Sequence, residues 1–168
     1  MLQKIAILGP ESTGKSALTI ALASHFKAPF VPEMAREYLT EIGTNYQYQD
    51  VLNIAALQLK TEYNLLQKNP NASFLFCDTE LITIKIWLEY KNWNVPNWVI
   101  EQIEKSDYSL YLLTDIDLPW QEDPLRENPN DRQELLHLFE KELNHFSKKY
   151  KIVKGKEDAR FKNAISFL

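Results

Sequence analysis

The sequence predicts a three-layer α/β fold, a five-stranded parallel sheet with helices on both faces. Three observations lead there. Short apolar runs alternate with longer segments of helical spacing, the pattern of strand–helix units in a parallel sheet. The first run, Ile5-Ala6-Ile7-Leu8, reads as a buried strand stopped by Gly9. Later boundaries are marked by Pro32, Gly43 and Asn69-Pro70.

The elements follow in order. Residues 1–8 form the first strand, and 15–26 the first helix. Phe30 and Val31 make a short second strand ended by Pro32. A helix over 33–42 stops at Gly43. In the helix over 50–68, Leu52, Ala55, Leu59, Tyr63 and Leu66 share one face. Residues 73–77 give the third strand, ended by Asp78. Helices over 81–90 and 97–105 precede a fourth strand at 108–113. The stretch 114–130 is polar and carries Pro119, Pro124 and Pro129. The next helix has Leu135, Leu136, Phe139, Leu143 and Phe146 at helical spacing. A fifth strand at 150–153 and a closing helix over 157–168 complete the chain.

At 168 residues, 45% of them hydrophobic and 25% charged, the chain is expected to form one globular domain. It contains no apolar run of the ~18 residues that suggest a membrane span. The single cysteine, Cys77, allows no internal disulfide and fits a reducing cytoplasm. It reads as a small buried residue rather than a nucleophile. His25, His137 and His145 lack metal-ligand spacing and read as surface or packing residues. A net charge of -4 without a dense basic stripe argues against nucleic acid and for a small or cationic partner.

Gly9-Pro10-Glu11-Ser12-Thr13-Gly14-Lys15-Ser16 matches G-x-x-x-x-G-K-[ST] between a strand and a helix, so the expected fold is that of the P-loop NTPases. Glycine lets the backbone turn so that successive N–H groups face phosphate oxygens. The positive end of the following helix adds to the attraction. Lys15 neutralises the β- and γ-phosphates, and the Ser16 hydroxyl is a magnesium ligand. Gly9, Glu11, Ser12, Thr13, Gly14, Lys15, Ser16 and the adjoining Ala17 are the candidate ATP-binding residues. Asp78 ends the Phe74-Leu75-Phe76-Cys77 strand, where a carboxylate can hold the Mg2+ directly or through water.

Two features favour a small-molecule kinase. In an open parallel sheet, ligands bind beyond the carboxyl ends of the strands. There the segment Pro32-Glu33-Met34-Ala35-Arg36-Glu37-Tyr38 places Glu33, able to bind a sugar hydroxyl and accept its proton, with Glu37 and Asp78 the alternative bases. The second feature is the long connection over about 115–132, expected to act as a lid that brings Arg126 and Arg132 over the phosphates. The chain contains no N-K-x-D for reading guanine.

Four blocks occur in order: G-P-E-S-T-G-K-S, V-P-E-M-A-R-E-Y, F-C-D-T-E and Y-L-L-T-D-I-D-L-P-W-Q-E-D-P-L-R. Over residues 5–165 the sequence resembles the ribosylnicotinamide kinase domain of the bifunctional NMN adenylyltransferase/ribosylnicotinamide kinase family. The resemblance implies ATP-dependent phosphorylation of nicotinamide riboside at its 5'-hydroxyl, giving nicotinamide mononucleotide. It places Glu33 and Arg36 at the riboside, Asp78 at magnesium, and Arg126 and Arg132 in the lid. Such proteins often carry a helix-turn-helix and an adenylyltransferase domain. Neither fits before a motif that begins at Gly9, so DNA binding and adenylyl transfer are expected to be absent. The positive pyridinium ring of the riboside suits carboxylates and aromatic faces, for which Tyr38, Trp87, Tyr90 and Trp120 are candidates. Trp120 has Asp115, Asp117 and Asp123 around it in sequence. Rival readings are another nucleoside or nucleoside-monophosphate kinase, and a nucleotide-binding regulator or assembly ATPase whose output is a change of shape.

Overall fold

The computed structural model describes residues 2–168. Strands β1 (Gln3–Leu8), β2 (Phe30–Val31), β3 (Phe74–Asp78), β4 (Leu110–Thr114) and β5 (Tyr150–Val153) form one sheet in the order β2-β3-β1-β4-β5. All its neighbours run parallel. The helices are α1 (Lys15–Phe26), α2 (Met34–Ile42), α3 (Tyr48–Lys68), α4 (Leu81–Tyr90), α5 (Asn97–Lys105), α6 (Arg132–His145) and α7 (Glu157–Ile165). Among the described residues, no helix is long and apolar enough to cross a membrane.

β1 lies at the centre, and its residues Ile5 to Leu8 are fully buried. Side chains alternate across a strand, so one run feeds two cores. Ile5 and Ile7 pack with Leu18 and Leu22 of α1 and Ala164 of α7. Ala6 and Leu8 join Val51, Ile54, Ile82, Val99 and Leu135 of α3 to α6. β4 repeats the division: Leu110 and Leu112 face the first core, Tyr111 and Leu113 the second. Full burial of each such side chain stabilises the fold by roughly 1.5–3 kcal/mol.

Helix α3 is rotated relative to the face expected from sequence. Its buried residues are Val51, Ile54, Ala55, Gln58 and Glu62, while Tyr63 is 63% exposed. Two polar residues can occupy the inner face because each has partners inside. Gln58 Oε1 accepts from the backbone N–H of Met34 at 3.1 Å, and its Nε2 reaches the carbonyls of Asp78 (3.5 Å) and Thr79 (3.4 Å). Glu62 accepts from the Tyr108 hydroxyl and pairs with Lys4, both at 2.5 Å. Helix α3 also starts earlier than expected, at Tyr48, because Gln47 and Asp50 form a reciprocal capping box.

Residues 115–131 form neither helix nor strand. Arg132, expected in that segment, is instead the first residue of α6. Gly9 has φ +142°, and a Cβ there would stand 2.3 Å from Thr114 Oγ1 and 2.9 Å from the Thr114 carbonyl oxygen. Thr114 belongs to β4, so the backbone must shift to admit even a methyl group. Gly9→Ala is therefore expected to cost roughly 2–4 kcal/mol, read as a lower urea midpoint. An unchanged midpoint would show that the β1–β4 junction is looser than this contact implies.

Candidate active site

The phosphate-loop motif leaves the end of β1 and enters α1. Gly14 caps α1 at φ 76°, and Ser12 also adopts a left-handed conformation, at φ 56°. The Thr13 hydroxyl lies 2.7 Å from the Pro10 carbonyl oxygen and 2.7 Å from the Thr114 hydroxyl. Thr114 Oγ1 in turn donates to the Leu8 carbonyl at 3.0 Å. The loop is thus fastened to the two central strands. Lys15 folds over it, with Nζ donating to the Pro10 carbonyl at 2.8 Å.

A cavity of about 460 Å³ opens from this loop. One part is lined by Gly9 to Ala17 together with Leu118, Pro119, Gln121 and Arg126. The other is walled by Leu39, Tyr46, Ile84, Trp87, Tyr90 and Phe139, from α2, α4, α6 and the α2–α3 connection. Glu33 and Arg36 also line the cavity. Glu33 is extended and sits just before α2 rather than within it.

Asp78 is 2% exposed, and its Oδ1 has no hydrogen-bond partner. Burial pushes its carboxyl up to about 6, and the charge of Glu33 pushes in the same direction. Lys15, the Ser16 hydroxyl and Arg36 pull against that rise. These opposing influences place Glu33, Lys15, Ser16 and Asp78 in one electrostatic neighbourhood, although they come from three separate stretches of chain. Glu80 is buried too. Desolvation raises it to about 8, while backbone N–H groups, including Ile82 N at 2.9 Å, favour its charge.

The cations are held by neighbours. Arg36 Nη1 donates to Asp123 at 2.9 Å, and its Nε lies 3.8 Å from Glu33. Arg126 donates to Ser12 Oγ at 3.3 Å and to the Gln121 carbonyl. Arg132 donates to the carbonyls of Ser12 (3.3 Å) and Leu118 (3.0 Å), beside the cavity rather than in its wall.

Two expected aromatic contacts are placed elsewhere. Trp120 does not line the cavity. Its ring has the guanidinium carbons of Arg126 and Arg132 at 5.9 and 5.8 Å, since the electron-rich indole face attracts cations. Tyr38 turns toward α3, where its hydroxyl bonds Asp50 and Asn53, both at 3.0 Å. Trp87 and Tyr90 do line the cavity. The sequence reading missed Tyr46, Lys91, Gln58, Glu80 and Glu127 as lining residues. Gln58 carried a readable signal, a polar residue among apolar ones at helical spacing. Tyr46 and Glu127 lie in connections and carried none.

Comparison with known proteins agrees with this architecture. The chain is 26% identical over 173 aligned residues to the Trifunctional NAD biosynthesis/regulator protein NadR of Escherichia coli (strain K12), which covers 98% of this chain and 41% of that protein. Among solved structures, NadR in complex with NR superposes at a TM-score of 0.80 with 22% identity, over 98% of this chain and 49% of that one. Deoxyadenosine kinase from M. mycoides with bound dATP superposes at 0.61 with 14% identity, over 98% of each chain. At these identities the superpositions establish the fold, and the chain spans less than half the length of the NadR proteins it matches. The match to the family described as AAA domain (AAA_28) covers residues 4–160. That span takes in every element that builds the cavity: the chain belongs to the AAA domain family.

Proposed function

We propose that this chain is an ATP-dependent kinase that transfers the γ-phosphoryl group to the 5'-hydroxyl of nicotinamide riboside, forming nicotinamide mononucleotide. The observation that carries the reading is one continuous cavity that joins the phosphate loop to an aromatic chamber, with Glu33 in its wall. Phosphoryl transfer needs little covalent help from protein and much positioning, and this arrangement supplies it. Loop N–H groups and Lys15 hold the phosphates, and Arg126 is near enough to Ser12 to meet charge developing beside the loop. The Glu33 carboxylate takes the hydroxyl proton as the oxygen bonds to phosphorus and the bond to the ADP oxygen breaks.

Ser16 and Asp78 fit a magnesium site, because the buried Asp78 Oδ1 is without a partner and the Ser16 hydroxyl is beside it. The ion, when bound, supplies charge neutralisation to the phosphates. Tyr46, Trp87 and Tyr90 supply aromatic surface against which a base can pack, and NadR solved with NR supports that acceptor. Deoxyadenosine kinase, solved with bound dATP, supports use of a nucleoside triphosphate. An acceptor monophosphate is less favoured, since Arg36 is already paired with Asp123 and Glu33.

The decisive assay mixes ATP and magnesium with nicotinamide riboside, common nucleosides and their monophosphates, and reads product mass. Nicotinamide mononucleotide is expected as the main product, and better transfer to an uncharged nucleoside overturns the acceptor assignment. Lys15→Ala should lower the rate by more than tenfold, a barrier increase above ~1.4 kcal/mol. Glu33→Gln should lower kcat/KM for the acceptor about 10²–10⁴-fold with little change in ATP affinity. Full activity in that variant removes Glu33 from the mechanism.

Asp78 gives a prediction in stability. Its pKa rises on folding from 3.8 to about 6, so its charged form weighs against the native state. The penalty is absent below the unfolded value and complete above the folded one. Without metal or nucleotide, Asp78→Asn should therefore match wild type near pH 3.5 and be more stable by up to about 3 kcal/mol at pH 8. Denaturant melts at the two pH values test this, and equal stabilities at pH 8 contradict the raised carboxyl.

A further inference from the structure

Glu127 touches both parts of the cavity with different groups. Its backbone N–H donates to the Glu11 carboxylate of the phosphate loop, at 3.2 and 3.1 Å from the two oxygens. The next residue reinforces that contact, Asn128 N donating to Glu11 Oε2 at 2.9 Å and Asn128 Nδ2 at 3.4 Å. The Glu127 side chain points the other way. Its Oε2 accepts from the Tyr46 hydroxyl at 2.8 Å and pairs with Lys91 Nζ at 2.9 Å. Tyr46 in turn accepts from the Trp87 indole N–H at 2.9 Å, and Lys91 Nζ stands 5.4 Å from the Tyr46 ring centroid.

A chain of direct contacts thus runs Glu11–Glu127–Tyr46–Trp87, from the phosphate loop into the aromatic wall. Every member lines the cavity. Tyr46 is 8% exposed and lines the chamber, so a base seated there packs against it. Burial raises the Tyr46 phenol above its ordinary value, and the bond to Glu127 adds to that rise, which keeps it a donor.

We propose that Glu127 is a positioning residue that makes the seating of segment 115–131 on the phosphate loop depend on occupation of the aromatic chamber. This deepens the kinase reading and rests on it for its second measurement. A base packed against Tyr46 and Trp87 holds the Tyr46 hydroxyl in place, and Tyr46 fixes Glu127. The Glu127 and Asn128 N–H groups then stay on Glu11, and Arg126, which donates to Ser12, is held at the phosphates. With the chamber filled, the acceptor hydroxyl takes the phosphoryl group. With it empty, the segment seats less often, and water is the only acceptor, giving ADP and inorganic phosphate. Occupancy of one part thereby selects transfer over hydrolysis in the other, an economy expected of a kinase lid.

Glu127→Ala tests the link, because it removes the side-chain bonds and keeps the backbone N–H that meets Glu11. Tyr46→Phe cuts the same link from the other side, and Glu127→Gln retains an acceptor for the Tyr46 hydroxyl. The first measurement is amide hydrogen exchange over residues 119–130 in the free protein. Exchange should quicken about threefold or more in Glu127→Ala and Tyr46→Phe, no further in the double variant, and less in Glu127→Gln. Unchanged exchange in both single variants overturns the proposal, whatever reaction the protein performs. The second measurement is the ratio of inorganic phosphate released to nicotinamide mononucleotide formed with saturating riboside. Glu127→Ala should raise it about threefold or more, whereas a purely structural role would lower both products together. An unchanged ratio overturns the proposal. If wild type phosphorylates no nucleoside, the kinase reading fails separately, and the exchange result alone decides whether Glu127 seats the segment.

Discussion

The approach of Gly9 to Thr114 is the contact on which the rest of the site depends. The Thr114 hydroxyl fills the space where a side chain on Gly9 would stand, and it lies within bonding distance of both Leu8 and Thr13. This fixes the phosphate loop to the two strands at the middle of the sheet. From that anchor the other groups follow by register. Asp78 is the β3 partner of Ile7 in β1, so it sits level with a residue two positions before Gly9, the start of the loop. Val31 pairs with Cys77, which brings the chain leaving β2 past Asp78 toward Glu33. The parallel sheet sets all three strand ends at one edge, where helix α1 also points its N-terminus.

Polar groups inside this framework are retained at a cost to stability. Asp78 and Glu80 are almost wholly buried, and desolvation raises both above the ordinary carboxylate range. Gln58 relates two of the junctions. From α3 it holds the backbone N–H of Met34, next to Glu33, and reaches the carbonyls of Asp78 and Thr79. It therefore helps to set the spacing between Glu33 and the carboxylate beside Ser16. A leucine at this position would pack as well but could bond to neither segment.

The irregular segment 115–131 is held by directional contacts rather than by its own secondary structure. Glu11 accepts backbone N–H groups of Glu127 and Asn128, and the Ser12 hydroxyl accepts that of Gln121 at 2.8 Å. Trp120 lies against Arg126 and Arg132, so two like charges can sit close together beside the loop. Glu11 and Ser12, two of the variable positions of the phosphate motif, thus face the segment, while Thr13 bonds inward to Pro10 and Thr114.

The sequence by itself determined the sheet, the phosphate loop and the carboxylate at the end of β3. Each is written in consecutive residues: an apolar run too continuous for a half-exposed strand, two glycines and a lysine at fixed spacing, and an aspartate where the run stops. Glu33 and Arg36, which the sequence puts just beyond β2, line the cavity. Only the tertiary structure decided which aromatics line the chamber. Trp87 and Tyr90 face it, while Tyr38 turns to α3 and Trp120 to the arginines, since a ring's direction depends on the partners that other elements bring to it. The inner face of α3 was likewise settled by partners more than 15 residues away, Lys4 and Tyr108 for Glu62, and Met34 and Asp78 for Gln58. Tyr46, Lys91 and Glu127 come from a connection, a helix end and a second connection, and no local pattern relates them. Short-range order fixes secondary structure and motif, whereas a bond between residues 81 positions apart exists only once the sheet has brought their segments together.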